Sequence, residues 1–439
     1  MSLKKRFLKY VLPTIASLWL FTLYTMVDGI FVGKGVGPAA LSAVNIAMPY
    51  ITFLFALATV IAVGASTIAS MLLGSGDHEG ANSVFTRAVT ASIAASLIVT
   101  ALAWFMPDQV AALLGASGEN LPYFRQYIGM IVPFSFFFVV SYVLEIMVKT
   151  DGFPRLAALS IAVGGVTNLV LDWLFVFVLP YGIRGAAFAT GISQIVSFTI
   201  FIVHFAGKRA RLRPVRFKPG LSLWRRLVPL GTPAALIEGF AALVCLTMNR
   251  VLLRVAGEGA LVTHAVVYYV NTLVLMTMLG VAQGSQPITS FECGSGQRKS
   301  VLSLLRMQAI TIAIIATAAI LVCNLAGGSI VSAFIDRSET ALLASSTAAL
   351  RIYSVVYLFL GFNVITAGFF SAIGHSRTGL RLAITRGALN IVSPLVLSFI
   401  GMPYVWLSAA LAELACLVLS LLALRSWQQD GCRLPEMQA

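Results

Sequence analysis

Long apolar stretches recur along the whole chain and limit what it can fold into. Residues 51–63 read ITFLFALATVIAV, for example, and carry no charge on any face. We count twelve such stretches, each of about 20 residues, the length that a helix needs to cross a bilayer. Membrane β-strands would instead alternate polar and apolar residues. With 59% hydrophobic and only 10% charged residues, the sequence predicts an all-α polytopic membrane protein with twelve transmembrane helices.

The basic residues are distributed unevenly between the predicted loops. Seven of the 30 fall on one side of the membrane: Lys34, Arg125, Arg184, Arg250, Arg254, Arg337 and Arg351. The remainder fall on the side that holds both termini. Since basic residues are enriched on the cytoplasmic side, we expect a multi-pass protein of the bacterial inner membrane with both termini in the cytoplasm. The net charge of +14 then reflects contact with anionic membrane lipids, and no nucleic-acid partner is expected.

The two halves of the chain resemble each other at a nearly constant spacing in the sequence. The matching pairs are Pro13 with Pro233, Gly64 with Gly284, Gly152 with Gly374, and Asn168 with Asn390. We therefore predict a tandem repeat: an N-lobe of six helices (1–207), a basic cytoplasmic linker (208–226), and a C-lobe of six helices with a short tail (227–439). Six helices per half make the repeats parallel, which is typical of transporters that work by alternating access around a central cleft. Two complete lobes also make a monomer sufficient.

Four polar residues of the first half fall at one predicted depth in the membrane. Asp28 lies in the first helix, Asn168 and Asp172 share one face of the fifth, and Thr190 lies in the sixth. An acid inside the bilayer costs roughly 2.5–3.5 kcal/mol on insertion scales, so it needs a reason. Oxygen ligands of this kind bind Na⁺, and two neighbouring carboxylates can hold a proton. We predict a coupling-ion site for Na⁺ or H⁺ here.

The repeat adds an asymmetry to this prediction. Asn390 preserves Asn168, but Pro394 stands opposite Asp172 and a position near Met248 stands opposite Asp28. Only the first half keeps both acids, which favours a functional role for Asp28 and Asp172 over a purely structural one. The alternative is that Asp28 merely ends the first helix and that Asp172 forms a local ion pair with Arg184.

The second half offers three candidates for contact with the substrate, namely Glu238, Gln286 and Glu413. An acid that faces the cleft would attract a cation. For Glu238 the alternative is a structural role, and for Glu413 it is an ion pair with Arg386 on the eleventh helix.

Several motifs resemble the multidrug and toxic compound extrusion (MATE) family, particularly its MepA-like and DinF-like bacterial branch. They are VDGIFVGKGVGPAALSAV from Val27, NLVLD from Asn168, GIRGAAFAT from Gly182, PAALIE from Pro233 and GVAQGSQPITSFECGSG from Gly280. The resemblance implies a twelve-helix multidrug antiporter, associated with antibiotic resistance, that exports small organic cations in exchange for Na⁺ or H⁺. It also implies an N-lobe cation site at Asp28, Asn168, Asp172 and Thr190. The asparagine that some relatives carry on helix 4 has no clear match, since Tyr142 occupies that neighbourhood.

Two other function classes stand as alternatives. A flippase or exporter of a lipid-linked or other non-drug substrate could share this architecture, but a cleft that holds pyrophosphate should be basic, and the intramembrane charges here are mainly acidic. An enzyme is disfavoured because the four histidines are dispersed and no HExxH motif occurs. We expect no catalytic residues and no cofactor.

Overall fold

Helices account for nearly all of the regular structure. The computed structural model describes residues 2–118, 120–179, 181–217, 220 and 222–430, and no β-strand occurs among them. The sixteen α-helices are α1 (Leu3–Gly35), α2 (Pro38–Ser75), α3 (His78–Phe105), α4 (Pro107–Leu114), α5 (Asn120–Ile131), α6 (Ser135–Thr150), α7 (Pro154–Asp172), α8 (Gly182–Ala206), α9 (Ser222–Ala256), α10 (Glu258–Gly294), α11 (Arg298–Leu325), α12 (Gly327–Ser332), α13 (Thr340–Ser354), α14 (Tyr357–Ala372), α15 (Ser376–Leu397) and α16 (Met402–Gln429). A 3₁₀ turn joins α5 to α6, and a π-helix, Trp173–Val178, extends α7.

Eleven continuous helical stretches of the described chain are long and apolar enough to cross a membrane. One combines α5 with α6, and another combines α7 with the π-helix. A further crossing is made by α13 and α14, which meet at a bend of 44°. With this bent pair counted as one span there are twelve, which confirms the predicted architecture. The tenth span begins at Thr340 and contains the bend between α13 and α14.

The chain divides into two compact units. The first unit is Ala16–Gly231, and the second unit combines Met1–Ile15 with Thr232–Ala439. In the first unit α2 packs on α3 and α6, and α7 packs on α8. In the second unit α10 packs on α11 and α14, and α15 packs on α16. The same order of helix pairing thus occurs twice. The start of α1 groups with the second half of the chain, and the start of α9 groups with the first half.

Glycines allow these helix starts to pack closely against their neighbours. In the first unit, Gly64 of α2 faces Leu227, and Gly231 of α9 faces the Val60 backbone. In the second unit, Gly280 of α10 faces Ile15 of α1. A Cβ at any of these glycines would overlap the neighbouring helix, so only the smallest residue permits the approach.

The segment that follows α8 is held against the first unit. The buried carboxylate of Asp151, at the end of α6, accepts hydrogen bonds from the backbone N–H groups of Arg211 and Leu212, each at 2.8 Å. Its other oxygen lies 2.8 Å from His204 Nε2. Further along, Asn82 Oδ1 accepts from the Arg213 N–H and Thr86 Oγ1 from the Val215 N–H. The part of the predicted linker up to Val215 is therefore tied to the first unit by side chains.

Candidate cation site

The four residues predicted as an ion site all lie in the first unit. Asp28 comes from α1, Asn168 and Asp172 from the end of α7, and Thr190 from α8. Asp28, Asn168 and Asp172 are buried. Asn168 Nδ2 donates to Thr190 Oγ1 at 3.4 Å. The carboxyl groups of Asp28 and Asp172 are close enough to share a hydrogen bond when one of them is protonated.

Aromatic and small residues bring α1 to α7. Phe31 of α1 packs edge-to-face on Phe177, with ring centroids 5.5 Å apart, and Gly165 of α7 lies against the Tyr24 ring. Aromatic pairs favour this edge-to-face geometry. The contacts lie on either side of Asp28 in sequence and direct it toward α7.

The helix geometry changes directly after Asp172. The α-helix ends there and the π-helix of Trp173–Val178 begins. Short π segments are frequent at functional sites, because they widen the turn and re-aim side chains. The change was not visible in the apolar sequence WLFVFV.

The oxygens of this cluster lack hydrogen-bond donors. In the described part of the chain, neither oxygen of Asp172, nor Asp28 Oδ1, nor Asn168 Oδ1 has a hydrogen-bond partner, and all four atoms are buried. Buried polar atoms are nearly always paired, because an unpaired one costs roughly 1–3 kcal/mol. The local ion pair offered as an alternative is absent between these residues, since Arg184 is exposed and Asp172 accepts nothing from it. Four buried oxygens without donors among the described residues are the kind of arrangement that a bound cation or proton would stabilise.

One neighbour of the site was missed from the sequence. Tyr127 of α5, 2% exposed, lies close enough to Asp28 and Asp172 for their charges to act on its hydroxyl. In the fourth span the sequence drew attention only to Tyr142, which stands near the position where some relatives carry an asparagine. Tyr127 lies nearer the start of that span, and no pattern in the sequence distinguishes it from the other tyrosines.

The donor set indicates which ions fit. No group of three or more His, Cys, Asp or Glu side chains in the described residues is arranged for a metal ion. Two carboxylates, one amide and one hydroxyl are hard oxygen ligands, which suit Na⁺ or a shared proton better than a transition metal.

In the second unit, Glu413 is engaged in a buried polar network. Arg386 Nε donates to Glu413 Oε1 at 2.7 Å, and Asn390 Nδ2 donates to the same oxygen at 3.1 Å. Asn363 Nδ2 donates to Oε2 at 2.7 Å. The ion pair with Arg386, which the sequence offered as the alternative for Glu413, is present. Glu238 and Gln286 are half-buried, and Glu238 forms no ion pair with any described residue.

A cavity of about 400 Å³ also occurs in the second unit. It lies along α9 and α10, and His264, Asn249, Arg250 and Tyr268 contribute to its lining. His264 Nδ1 lies 2.7 Å from Asn249 Oδ1. No acid whose side chain the structure describes lines this cavity, and Arg250 makes it a poor site for a cation.

Comparisons with known proteins agree with this architecture. The MatE family model matches twice, at residues 13–174 and 233–396, so each half of the chain resembles the same model. The two matches start at the paired residues Pro13 and Pro233, and their ends differ by the spacing that relates Asn168 to Asn390. The family model therefore detects the same repeat. Multidrug export protein MepA of Staphylococcus haemolyticus is 25% identical over 96% of this chain and 93% of its own length. The protein of that name from Staphylococcus aureus (strain NCTC 8325 / PS 47) is 24% identical over 95% of this chain and 92% of its own length.

Solved structures share the fold. A multidrug resistance MATE family transporter in an outward-facing conformation superposes with a TM-score of 0.91 at 22% identity, over 97% of this chain and 96% of that one. A crystal structure of MATE in complex with MaL6 gives the same values. A tandem repeat of six-helix units places the molecule among polytopic membrane transporters. With the family model matched over most of its length, the chain belongs to the MatE family.

Proposed function

We propose that this chain is a multidrug efflux transporter that exchanges lipophilic organic cations for sodium ions or protons by alternating access. Membership in the MatE family and similarity to the MepA multidrug export proteins support multidrug export. The coupling ion binds at Asp28, Asn168, Asp172 and Thr190. The observation that carries this site is the set of four buried oxygens that find no hydrogen-bond partner among the described residues.

The charge of the site explains why an ion would bind there. Two carboxylates buried together repel each other and have lost the water that would solvate them. A sodium ion bound by the carboxylate, amide and hydroxyl oxygens removes most of this cost, and so does a proton shared between Asp28 and Asp172. Either ion thus changes the stability of the arrangement that joins α1 to α7 and α8, and this is how occupancy of the site can favour one conformation over another.

The direction of transport follows from the ion gradients across an inner membrane. The electrochemical gradients of Na⁺ and H⁺ point into the cell, so the ion enters while the drug leaves. The membrane potential adds about 2.3 kcal/mol per charge per 100 mV.

The second unit provides the contacts with the substrate. Glu238 attracts the cationic substrate and Gln286 provides a polar contact, whereas Glu413 is engaged in its ion pair with Arg386. Lipids surround the protein, and a monomer is sufficient.

Transport in proteoliposomes tests the proposal. Efflux of a fluorescent lipophilic cation is measured with sodium and proton gradients imposed separately, for the parent protein, Asp28→Asn, Asp172→Asn and Asp108→Asn. Asp108 is an exposed acid in α4 that pairs with Arg125, so it controls for the loss of a carboxylate. The proposal predicts gradient-driven efflux for the parent and Asp108→Asn and its loss in the other two variants.

Two outcomes would contradict this proposal. If the parent moves no cation under either gradient, the substrate class is wrong, and a lipid-linked or other anionic substrate becomes the better assignment. If Asp28→Asn and Asp172→Asn transport normally, the ion site is wrong whatever the substrate.

A further inference from the structure

The polar network around Glu413 lies in the second unit at positions that the repeat matches to the candidate cation site of the first unit. At the spacing that relates Gly152 to Gly374, Asn390 on α15 corresponds to Asn168 on α7. At the same spacing Glu413 on α16 falls opposite Gly191 on α8, next to Thr190. The side-chain pairing is also repeated, since Asn168 donates to Thr190 and Asn390 donates to Glu413. Two equivalent places, one in each unit, therefore hold an amide and an oxygen acceptor from equivalent helices.

The two places differ in where positive charge comes from. In the second unit Arg386 supplies a guanidinium that lies 2.7 Å from Glu413 Oε1. At the corresponding position of the first unit stands Gly164, which has no side chain to offer. The first unit instead leaves oxygens of Asp28, Asn168 and Asp172 without partners among the described residues. The cation of the second unit is thus a side chain of the protein, whereas the first unit has unpaired oxygens that could bind a cation from solution.

We infer that Arg386 is a resident cation, which permanently occupies in the second unit the position that the exchangeable coupling ion takes in the first. Arg386 acts as a positioning residue: its guanidinium fixes the Glu413 side chain between α14, α15 and α16. The second unit consequently binds no coupling ion, and ion exchange is confined to the first unit. This inference rests on the proposed ion site of the first unit for its functional meaning, although the contacts of Arg386 stand independently of it.

The burial of the pair makes the loss of one partner informative. The Glu413 side chain is 1% exposed and that of Arg386 17%. Removal of the guanidinium alone leaves an almost completely buried carboxylate with only two amide donors, from Asn363 and Asn390. A carboxylate in that situation is strongly destabilising unless a cation replaces the one removed. Arg386→Ala should therefore create a site for a small soluble cation, and free guanidinium matches the vacated chemistry most closely.

Thermal unfolding of the purified full-length protein tests this. Melting temperatures are measured for the parent, Arg386→Ala and Arg386→Lys, with guanidinium chloride at about 10 mM or with sodium or tetramethylammonium chloride at the same concentration. We expect Arg386→Ala to melt well below the parent and to recover at least half of the loss with guanidinium but not with tetramethylammonium. The parent and Arg386→Lys, which keep a built-in cation, should not respond to guanidinium. A folded Arg386→Ala that ignores guanidinium would overturn the inference.

A charge-neutral double variant keeps the test decisive if Arg386→Ala fails to fold. Arg386→Met combined with Glu413→Gln removes both charges, and buried ion pairs can often be replaced in this way with little loss of stability. It should fold, melt close to the parent and show no response to guanidinium. A double variant that is as unstable as Arg386→Ala would mean that Arg386 does more than neutralise Glu413, and the inference would fail.

The coupling ion separates this inference from the proposed function. If the parent is stabilised by its coupling ion and Arg386→Ala keeps that response while Asp172→Asn loses it, ion exchange is confined to the first unit as inferred. If Arg386→Ala instead loses the response and Asp172→Asn keeps it, the second unit holds the exchangeable ion. If Asp172→Asn keeps the response to the coupling ion, the proposed site is refuted, but the guanidinium result for Arg386→Ala is unaffected.

Discussion

Arg6 donates a hydrogen bond from Nη1 to Glu292 Oε1 at 2.6 Å, although 286 positions separate the two residues in the chain. The Arg6 guanidinium also lies 4.6 Å from the centroid of the Phe291 ring. Glu292 is buried, so this ion pair fixes the start of α1 to the end of α10 within the second unit.

Loss of Arg6 should destabilise this attachment. Arg6→Ala leaves a buried carboxylate without its cation, but Arg6 itself is about one quarter exposed, so we expect a cost of about 1–3 kcal/mol. Thermal unfolding of the purified protein measures it. Lys5→Ala, which removes an exposed basic residue from the same turn, is the control and should melt like the parent. Equal melting temperatures for the two variants would refute a stabilising role for the pair.

The two glycines of α9 provide a matched test of close helix packing. A Cβ at Gly231 would overlap the Val60 carbonyl group, whereas a Cβ at Gly239 would meet nothing within 4 Å. Gly231→Ala forces the helices apart and should cost about 1–3 kcal/mol. Gly239→Ala should leave the melting temperature unchanged or raise it slightly, because alanine favours the helix more than glycine does. Should the two substitutions have the same effect, the close approach of α9 to α2 would not limit stability.

The attachment of the segment after α8 predicts a change in protease sensitivity. Asp151→Ala leaves the N–H groups of Arg211 and Leu212 without their acceptor, so the segment should detach from the first unit more often. The basic side chains of this segment are already exposed, but trypsin needs the backbone beside them to be detached. A loss of about 1.4 kcal/mol corresponds to roughly tenfold faster cleavage in residues 208–216 when opening is fast. Asp430→Ala, at an exposed position after α16, is the control. Unchanged cleavage of Asp151→Ala would show that other contacts hold the segment.

The hydroxyl of Thr190 should contribute to ion affinity. Thr190→Val keeps the shape of the side chain and removes one oxygen from the proposed site, while Thr190→Ser keeps the oxygen. We expect about a tenfold higher half-saturating ion concentration for the valine variant, equivalent to about 1.4 kcal/mol, and near-parental values for the serine variant. The ion dependence of efflux in proteoliposomes provides the measurement. A valine variant with parental ion dependence would remove Thr190 from the site.

Much of the architecture could be predicted because its signals are local or periodic. Apolar stretches of membrane-spanning length indicated the twelve helices, and the nearly constant spacing of matched residues indicated the repeat that the family model also detects. Asn168 and Asp172 share a helix face by simple periodicity. The structure brings Asn168 into contact with Thr190, while the role of these residues as an ion site stays a prediction.

Other features depend on contacts that a sequence pattern does not encode. The pair of Arg6 with Glu292 joins residues far apart in the chain, and nothing in either neighbourhood indicates the partner. The bend between Ser354 and Tyr357 contains no proline that would mark it. Tyr127 is one of twelve tyrosines, and only its depth in the folded unit distinguishes it.

The central claim is that an ion at Asp28 and Asp172 controls the affinity for substrate, and equilibrium binding tests it most directly. The dissociation constant of a fluorescent lipophilic cation is measured on purified protein with and without the coupling ion, for the parent, Asp172→Asn and Asp108→Asn. If the two sites are coupled, the ion changes substrate affinity by about 5–150-fold in the parent and in Asp108→Asn. Asp172→Asn should still bind the substrate, but with an affinity that no longer depends on the ion. An undiminished ion effect in folded Asp172→Asn would contradict the claim.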